Sequence, residues 1–329
     1  MKYVAVFMIG AALLVAPASS WAQVSLSKLK QIPLYGHDYV RLEDWTRANG
    51  LAVHWIKRDH QLSVTRRSWR LEFTADSALV SVNGVNVWLS YPVVVRSGIP
   101  YVTYIDLKNA VEPLMYPPRN VNGDKIKVVA LDPGHGGKDT GNRVGNRSEK
   151  TYTLLLANEV REQLKKHGIK AVLTRTSDRY VELDDRPALA RKAGADLFVS
   201  LHFNATSYGR DQAEGSEVFC VTPMGASSTN ARGAGSDAQA SVGNRYNDKN
   251  LLLAYEMQRA LTTGLKTEDR GVRRARFAVL RGAAMPAVLV EAGFMSHPSE
   301  GKRIFSPGYR QEIAKAVVSG ILAYKAEVE

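Results

Sequence analysis

From residue 126 onward, short apolar runs alternate with longer segments in which apolar residues recur at helical spacing. The runs IKVVALD, IKAVLTR, DLFVSLHFN, SEVFCVT and AVLVEAG have the length and composition of buried strands. Helical spacing predicts helices at 149–166, 185–193, 248–265 and 309–325, and Gly168 follows the first of them as a natural C-cap. This alternation predicts an α/β fold with a mixed sheet that is flanked by helices on both faces.

Residues 23–115 show a different pattern, in which short runs rich in valine, leucine and aromatic residues are separated by turns. Asn83-Gly84 lies between two alternating runs, which is typical of a β-hairpin. The segments DYVRLEDWTRANG and PYVTYIDLKNAV each predict a short strand followed by a helix. We therefore expect a small β-rich α+β accessory domain at 23–115, a linker at 116–125 and a larger domain at 126–329.

The first 22 residues have the pattern of a secretory signal peptide. Lys2 precedes the apolar run VAVFMIGAALLVA, which is too short for an ordinary transmembrane helix. The small residues Ser20 and Ala22 predict cleavage after Ala22, and an uncleaved membrane anchor is the alternative. We expect export to the periplasm, with no stable membrane insertion after cleavage.

Composition limits the classes of partner that an exported chain of this kind could bind. Hydrophobic residues make up 45% of the 329 residues, which is enough for a substantial core. The formal net charge of +12 favours polyanionic partners. Export argues against nucleic acid and leaves an anionic cell-envelope polymer. The single cysteine, Cys220, cannot form an internal disulfide.

Polar residues end three of the predicted strands. His135 follows the first strand in the stretch LDPGHGG, His202 ends DLFVSLH, and Glu291 ends AVLVE, while Glu149 opens the first helix. Each has a plainer interpretation by itself, such as a core histidine or a carboxylate at a helix dipole. Together, two histidines and one glutamate make a typical ligand set for catalytic zinc, which leaves the other glutamate free as a base. Glycines around His135 would let a metal and a substrate approach closely.

Several longer stretches carry a family resemblance: LDPGHGGKDTG, SEKTYTLLLANEV, ARKAGADLFVSLHFNA, GVRRARFAVLR and MPAVLVEAGFMSHPSE. In this order they resemble the zinc-dependent N-acetylmuramoyl-L-alanine amidases (the Amidase_3 family) over residues 125–324. The resemblance implies that His135, Glu149 and His202 bind Zn²⁺ and that Glu291 is the catalytic glutamate. It implies a peptidoglycan hydrolase that cleaves the amide bond between N-acetylmuramic acid and L-alanine with zinc-activated water. An exported zinc peptidase or deacetylase, or a non-catalytic wall-binding regulator, is the alternative.

Other polar residues have less specific expectations. The resemblance marks Asn204 as a position for substrate contact or support of the site. Asp139 is predicted to orient either the glycine-rich loop or a ligating histidine. The stretch GVRRARFAVLR contributes Arg276 and three further arginines, Arg273, Arg274 and Arg281. These arginines either attract carboxylates of the substrate or form a solvated basic face.

Two further segments bear on regulation and partners. Residues 222–244 are rich in glycine, serine and asparagine without apolar periodicity, so we expect no inhibitory helix there and less dependence on a protein activator. An activator stays a candidate partner beside peptidoglycan. Residues 23–115 resemble the N-terminal domain of copper amine oxidases, although their histidines form no compact ligand motif and predict no copper. We expect the tryptophans of this region to be core residues, with stacking on wall sugars as the alternative.

Overall fold

The computed structural model describes residues 26–66, 69–230 and 239–329. The predicted signal peptide lies outside these residues. The N-terminal region contains nine short strands and a few helical turns within the described ranges. They are β1 (Gln31–Leu34), β2 (His37–Arg41), α1 (Leu42–Ala48), β3 (Ala52–Lys57), β4 (Gln61–Arg66), β5 (Trp69–Thr74), β6 (Leu79–Val82), β7 (Val85–Trp88), β8 (Val94–Arg96), β9 (Ile99–Thr103), α2 (Tyr104–Asp106), a π-helical segment (Leu107–Val111) and α3 (Glu112–Met115).

The predicted hairpin and the two predicted strand–helix pairs are confirmed. Asn83 and Gly84 both have positive φ, at 48° and 83°, which is the geometry of the tight turn that joins β6 to β7. Strands β3 to β7 form an antiparallel meander, while β1, β2, β9 and β8 form a separate four-stranded sheet. Trp45 is fully buried in α1, and Trp55 and Trp69 pack against the core, as expected for structural residues.

The C-terminal region alternates strands with helices, as its sequence pattern predicts. It contains β10 (Val128–Pro133), β11 (Arg143–Val144), β12 (Arg147–Ser148), α4 (Glu149–Lys166), β13 (Lys170–Leu173), α5 (Asp185–Lys192), β14 (Leu197–Asn204), β15 (Ser216–Val221), α6 (Asn247–Leu265), β16 (Asp269–Ala275), α7 (Ala278–Arg281), β17 (Ala287–Phe294), α8 (Pro298–Ile304) and α9 (Pro307–Val328). Among the described helices, none is long and apolar enough to span a membrane.

The sheet of this region is mixed. Strands β13, β10, β14 and β17 are neighbours and run parallel to one another. Strand β15 then pairs antiparallel with β17 and parallel with β16. As a result, the carboxyl ends of β10, β14 and β17 meet the amino end of β15 at one edge of the sheet. In α/β folds this edge is where functional side chains collect.

The two regions share one continuous sheet, because β16 pairs with β7 of the accessory region. Val272 is the register partner of Val87, and the Asn86 backbone N–H donates to Oδ2 of Asp269 at 2.7 Å. Indole Nε1 of Trp88 donates to the Arg270 carbonyl at 2.9 Å. Eleven described strands thereby form a single sheet. The sequence pattern had predicted neither β16 nor this continuity, and the domain bounds stay a prediction.

The two faces of the larger sheet differ in their cover. Side chains such as Val129, Leu201 and Val290 point to the face that packs against α4, α6 and α9 in the main core. The alternate residues, such as Phe198 and Leu289, belong to a smaller apolar cluster under α7. Because strand side chains alternate between faces, His202 and Glu291 lie on this second face, just beyond the apolar cluster.

Candidate metal centre and active site

Three candidate ligands converge at the edge of the sheet. His135 lies in the loop after β10, Glu149 is the first residue of α4, and His202 lies near the end of β14. One ligand atom from each of them lies within 4.8 Å of the others, and among the described residues no other three His, Cys, Asp or Glu side chains come together in this way. The structure therefore brings together the two histidines and the glutamate that the sequence selected.

Glycines make this convergence possible. His135 itself has a φ of +64°, a left-handed conformation that is uncommon for a residue with a side chain. A Cβ added to Gly134 would lie 2.2 Å from Cε1 of His202. A Cβ added to Gly141 would lie 2.5 Å from Cδ2 of His135 and 2.7 Å from Oε2 of Glu149. Side chains at these positions would occupy the space that the ligand side chains need.

Glu149 is the buried centre of the cluster. Its Oε1 lies 3.0 Å from Nδ1 of His202 and accepts a hydrogen bond from the Phe203 backbone N–H at 3.0 Å. Its Oε2 lies 3.1 Å from Nε2 of His135 and accepts from the Asn142 N–H at 2.9 Å. Burial alone would raise the pKa of Glu149, but hydrogen bonds and the charges of the two histidines lower it well below its usual range. Glu149 is therefore ionised and suited to bind a cation.

Nδ1 of His135 contacts a second carboxylate, which holds the imidazole ring in place. Nδ1 of His135 lies 2.8 Å from Oδ2 of Asp139, so Nε2 faces Glu149. Burial lowers the pKa of His135, but Glu149 and Asp139 outweigh burial and raise it. The His135 carbonyl accepts from Nη2 of Arg186 at 2.9 Å, and Arg186 also pairs with the buried Asp132 at 2.9 Å. These contacts fix the loop and the ring that it carries.

Glu291 lies beside the cluster and differs from Glu149 in its surroundings. His202 of β14 is its direct register partner in the parallel pair. The Oε2 atom of Glu291 is buried and has no hydrogen-bond partner among the described residues. Burial, followed by the charges of Glu149 and Glu217, raises the pKa of Glu291 well above the usual value. A partnerless carboxylate with a raised pKa is suited to accept a proton near neutral pH.

The cluster and Glu291 open into one cleft of about 430 Å³. The polar cluster lines part of this cleft, and sequence reasoning had missed Asn142 beside it, whose Nδ2 also donates to Glu149 at 3.0 Å. Four apolar side chains also line the cleft and form its apolar wall, and sequence reasoning missed all four although two of them belong to the stretch GVRRARFAVLR. They are Leu183, Phe277, Val279 and Leu289.

Comparison with known proteins identifies the family. The sequence profile of the Amidase_3 family, described as N-acetylmuramoyl-L-alanine amidase, matches residues 129–323. The chain belongs to this amidase family. It is 36% identical over 222 residues to N-acetylmuramoyl-L-alanine amidase AmiA of Escherichia coli (strain K12), covering 60% of this chain and 76% of that relative.

Solved amidases share the fold of the larger region. The N-acetylmuramoyl-L-alanine amidase from Clostridium difficile 630 is 34% identical, with a TM-score of 0.51 over 61% of this chain and 97% of that one. The CwlD amidase from Clostridioides difficile, solved in complex with the GerS lipoprotein, is 26% identical, with a TM-score of 0.50 over 61% and 98% of the two chains. The matched region contains every residue of the candidate site.

Two further candidate residues of this amidase lie near the cleft rather than in it. Nδ2 of Asn204 donates to Oε1 of Glu217 at 2.9 Å. Arg276 donates to the Ala226 carbonyl at 2.6 Å and to the Ser228 hydroxyl at 2.9 Å, and so holds a loop beside Phe277. Their roles toward the substrate stay predictions.

The expectation for Arg274 was wrong, because this side chain neither attracts a substrate nor forms a solvated face. It is 2% exposed and donates to the Asn109 carbonyl of the accessory region at 2.6 Å. The predicted loop at 222–244 has no helix in its described residues before a short 3₁₀ turn, Val242–Tyr246. Residues 231–238 of that loop lie outside the described residues, so the absence of an inhibitory helix stays a prediction.

Proposed function

We propose that this amidase hydrolyses the amide bond between N-acetylmuramic acid and L-alanine of peptidoglycan, using Zn²⁺ held by His135, Glu149 and His202. The observation that carries the proposal is the convergence of these three side chains beside the partnerless carboxylate of Glu291. Family membership supports the amide bond as the target. The products are a glycan strand and a free stem peptide.

The donor set fits zinc. Two imidazoles and one carboxylate are the usual protein ligands of catalytic zinc, and the buried Glu149 charge needs a cation once both histidines are neutral. Asp139 supports this assignment because a carboxylate on Nδ1 leaves Nε2 of His135 unprotonated for a metal. When bound, zinc lowers the pKa of a coordinated water to about 7 and polarises a carbonyl oxygen.

Glu291 supplies the proton transfers. Its raised pKa lets the ionised carboxylate accept a proton from the attacking water near neutral pH. The same carboxyl group then donates that proton to the leaving nitrogen of L-alanine, so Glu291 returns to its ionised form. Because Oε2 makes no hydrogen bond in the described structure, no protein contact has to break before the proton moves.

The apolar wall supports the choice of substrate. Leu183, Phe277 and Val279 line the same cleft as the polar cluster. The lactyl group and L-alanine each carry a methyl group next to the scissile amide, and such methyl groups gain free energy from an apolar wall. We propose that this wall orients the substrate with its carbonyl carbon toward Glu291.

The wider setting rests on sequence and on relatives. We propose export through the predicted signal peptide at 1–22, a periplasmic location, and a catalytic domain at 126–329 with an accessory domain at 23–115. The lipoprotein complex of the related CwlD amidase supports a protein activator as a candidate partner here too.

The test is a product analysis. The mature protein, loaded with zinc, is incubated with purified peptidoglycan, and the products are identified by mass spectrometry. Stem peptides that begin at L-alanine are expected from the wild type and not from Glu291→Gln, which should bind as much zinc as the wild type. Shortened peptides or deacetylated sugars would replace the amidase assignment by that of a zinc peptidase or deacetylase.

A further inference from the structure

A second carboxylate lies next to Glu291, and no sequence motif pointed to it. Glu291 in β17 has two direct register partners, His202 in parallel β14 and Glu217 in antiparallel β15. Residues that face each other across paired strands project to the same face of a sheet. The side chains of His202, Glu291 and Glu217 therefore form a row at the edge of the cleft.

Glu217, unlike Oε2 of Glu291, has charged and polar partners. Its Oε2 lies 2.7 Å from Nε of Arg273 and 3.5 Å from Nε of Arg270. Its Oε1 accepts the hydrogen bond from Asn204 at 2.9 Å. The residue is only 5% exposed, so these contacts are poorly screened by solvent. Two guanidinium groups are thus held by one carboxylate that lies beside the proposed base.

In the sheet, Glu217 lies between Glu291 and the two arginines, because β15 separates β17 from β16. A buried carboxylate with an unused oxygen attracts any guanidinium group that can reach it. Arg273 and Arg270 are the available groups, and Glu217 engages both of them. If Glu217 lost its charge, the next carboxylate across the sheet from these arginines would be Glu291, which lies on β17, one strand beyond β15. An arginine paired with Glu291 would compete with the proton that the reaction needs.

We propose that Glu217 is a positioning residue that retains Arg273 and Arg270 and thereby leaves the Glu291 carboxylate free for proton transfer. The proposal rests on the proposed function of Glu291 as the base. It also gives Asn204 a role, because its amide is the third partner of the Glu217 carboxylate rather than a contact for the substrate.

The test compares Glu217→Gln, Arg273→Met and the double variant in the full-length zinc enzyme. Glu217→Gln should lower kcat about 100-fold, the lower end of what a general base contributes, with KM changed less than about threefold. The double variant should recover at least about tenfold of that loss, because it also removes the closer guanidinium. A merely structural role predicts that the double variant is as inactive as Glu217→Gln or worse.

Glu256→Gln is the matched control. Glu256 is also a buried carboxylate paired with an arginine, Arg259, but it lies in α6, away from the cleft. This variant should lose stability without losing kcat. If it lowers kcat as much as Glu217→Gln does, loss of a buried ion pair explains both effects and the proposal is wrong.

A crystal structure of Glu217→Gln gives a readout that does not depend on activity. A guanidinium nitrogen of Arg273 or Arg270 is expected within about 4 Å of the Glu291 carboxylate. Arginines that keep their wild-type positions would overturn the proposal. Should the wild type release no stem peptide, the proposed function fails, whereas this structure still decides whether Glu217 retains the two arginines.

Two controls complete the comparison. Thermal unfolding and zinc content confirm that each variant is folded and loaded with zinc. The variant Glu217→Asp keeps the negative charge and should therefore retain most of kcat.

Discussion

Oδ2 of Asp139 lies 2.8 Å from Nδ1 of His135, on the side of the imidazole opposite Glu149. This contact joins two residues of one loop, and it leaves Nε2 as the ring nitrogen that faces Glu149 and the proposed metal centre. The carboxylate raises the basicity of the ligating nitrogen and restricts rotation of the ring. The proposed metal site thus extends one residue beyond its three proposed ligands.

Removing that carboxylate should weaken metal binding. For Asp139→Ala we expect zinc affinity to fall about 10- to 100-fold, because His135 loses the partner that fixes its tautomer. Competition with a chromophoric chelator measures the affinity directly. Asp184→Ala, which removes an exposed aspartate, is the control and should bind zinc like the wild type. Equal affinities for both variants would show that the Asp139 contact does not support the metal.

Two glycines provide a matched test of the space around the ligands. Gly141 and Gly145 have nearly the same φ, +60° and +59°, but only Gly141 has ligand side chains within 3 Å of an added Cβ. Gly141→Ala should therefore abolish stoichiometric zinc binding and activity. Gly145→Ala should cost only about 1 kcal/mol of stability from the left-handed backbone and keep its zinc. Metal analysis of both purified variants decides the point, and comparable zinc loss in the two would attribute the effect to backbone strain alone.

The raised pKa of Glu291 predicts that the carboxylate proposed for activity lowers the stability of the folded protein at high pH. Because the folded-state pKa is raised, the contribution of Glu291 to stability is fully present below the unfolded-state pKa and is lost as the pH rises through the folded-state value. Glu291→Gln, though inactive, should therefore stabilise the metal-free protein at about pH 8 by on the order of 1 kcal/mol. The difference in Tm should shrink as the pH falls and vanish near about pH 3, where the carboxyl group is protonated in both the folded and the unfolded state.

Glu300 is the comparison for that measurement. It is also buried with a raised pKa, but it accepts hydrogen bonds from the backbone N–H groups of Phe294 and Gly215. Glu300→Gln should lower Tm at about neutral pH, because the amide has one acceptor oxygen in place of two. A Glu291→Gln variant that is likewise destabilised would mean that Oε2 of Glu291 has a partner in solution.

The shared sheet predicts that the accessory region is needed for stability. A fragment of residues 116–329 would lose β7, the pairing partner of β16, and the Asn109 carbonyl that accepts from Arg274. We expect this fragment to unfold at lower temperature and to self-associate through the exposed strand edge. Size-exclusion chromatography and calorimetry of the fragment and the full chain test this, and a monomeric fragment with unchanged Tm would support independent domains.

Local patterns in the sequence predicted most of the secondary structure. Helix α4 begins at Glu149 and ends at Lys166, as its apolar spacing and Gly168 indicated. The Asn83-Gly84 turn was readable for the same reason, since both residues tolerate positive φ. Strand β16 was not predicted, because its three arginines hide the alternation that marks a strand. Its interior arginines are acceptable only because Glu217 and the Asn109 carbonyl pair with them.

By itself the sequence indicated most of the strands and helices, β16 excepted, and, through its motifs, the candidate residues His135, Glu149, His202 and Glu291. It could do so because helix and strand periodicity and glycine-rich turns are local properties of the chain. Only the tertiary structure decided that Glu217 lies beside Glu291, since that contact depends on the register between β15 and β17, which are 65 or more residues apart along the chain. Side chains that act through a partner on another strand carry no local signal of their own.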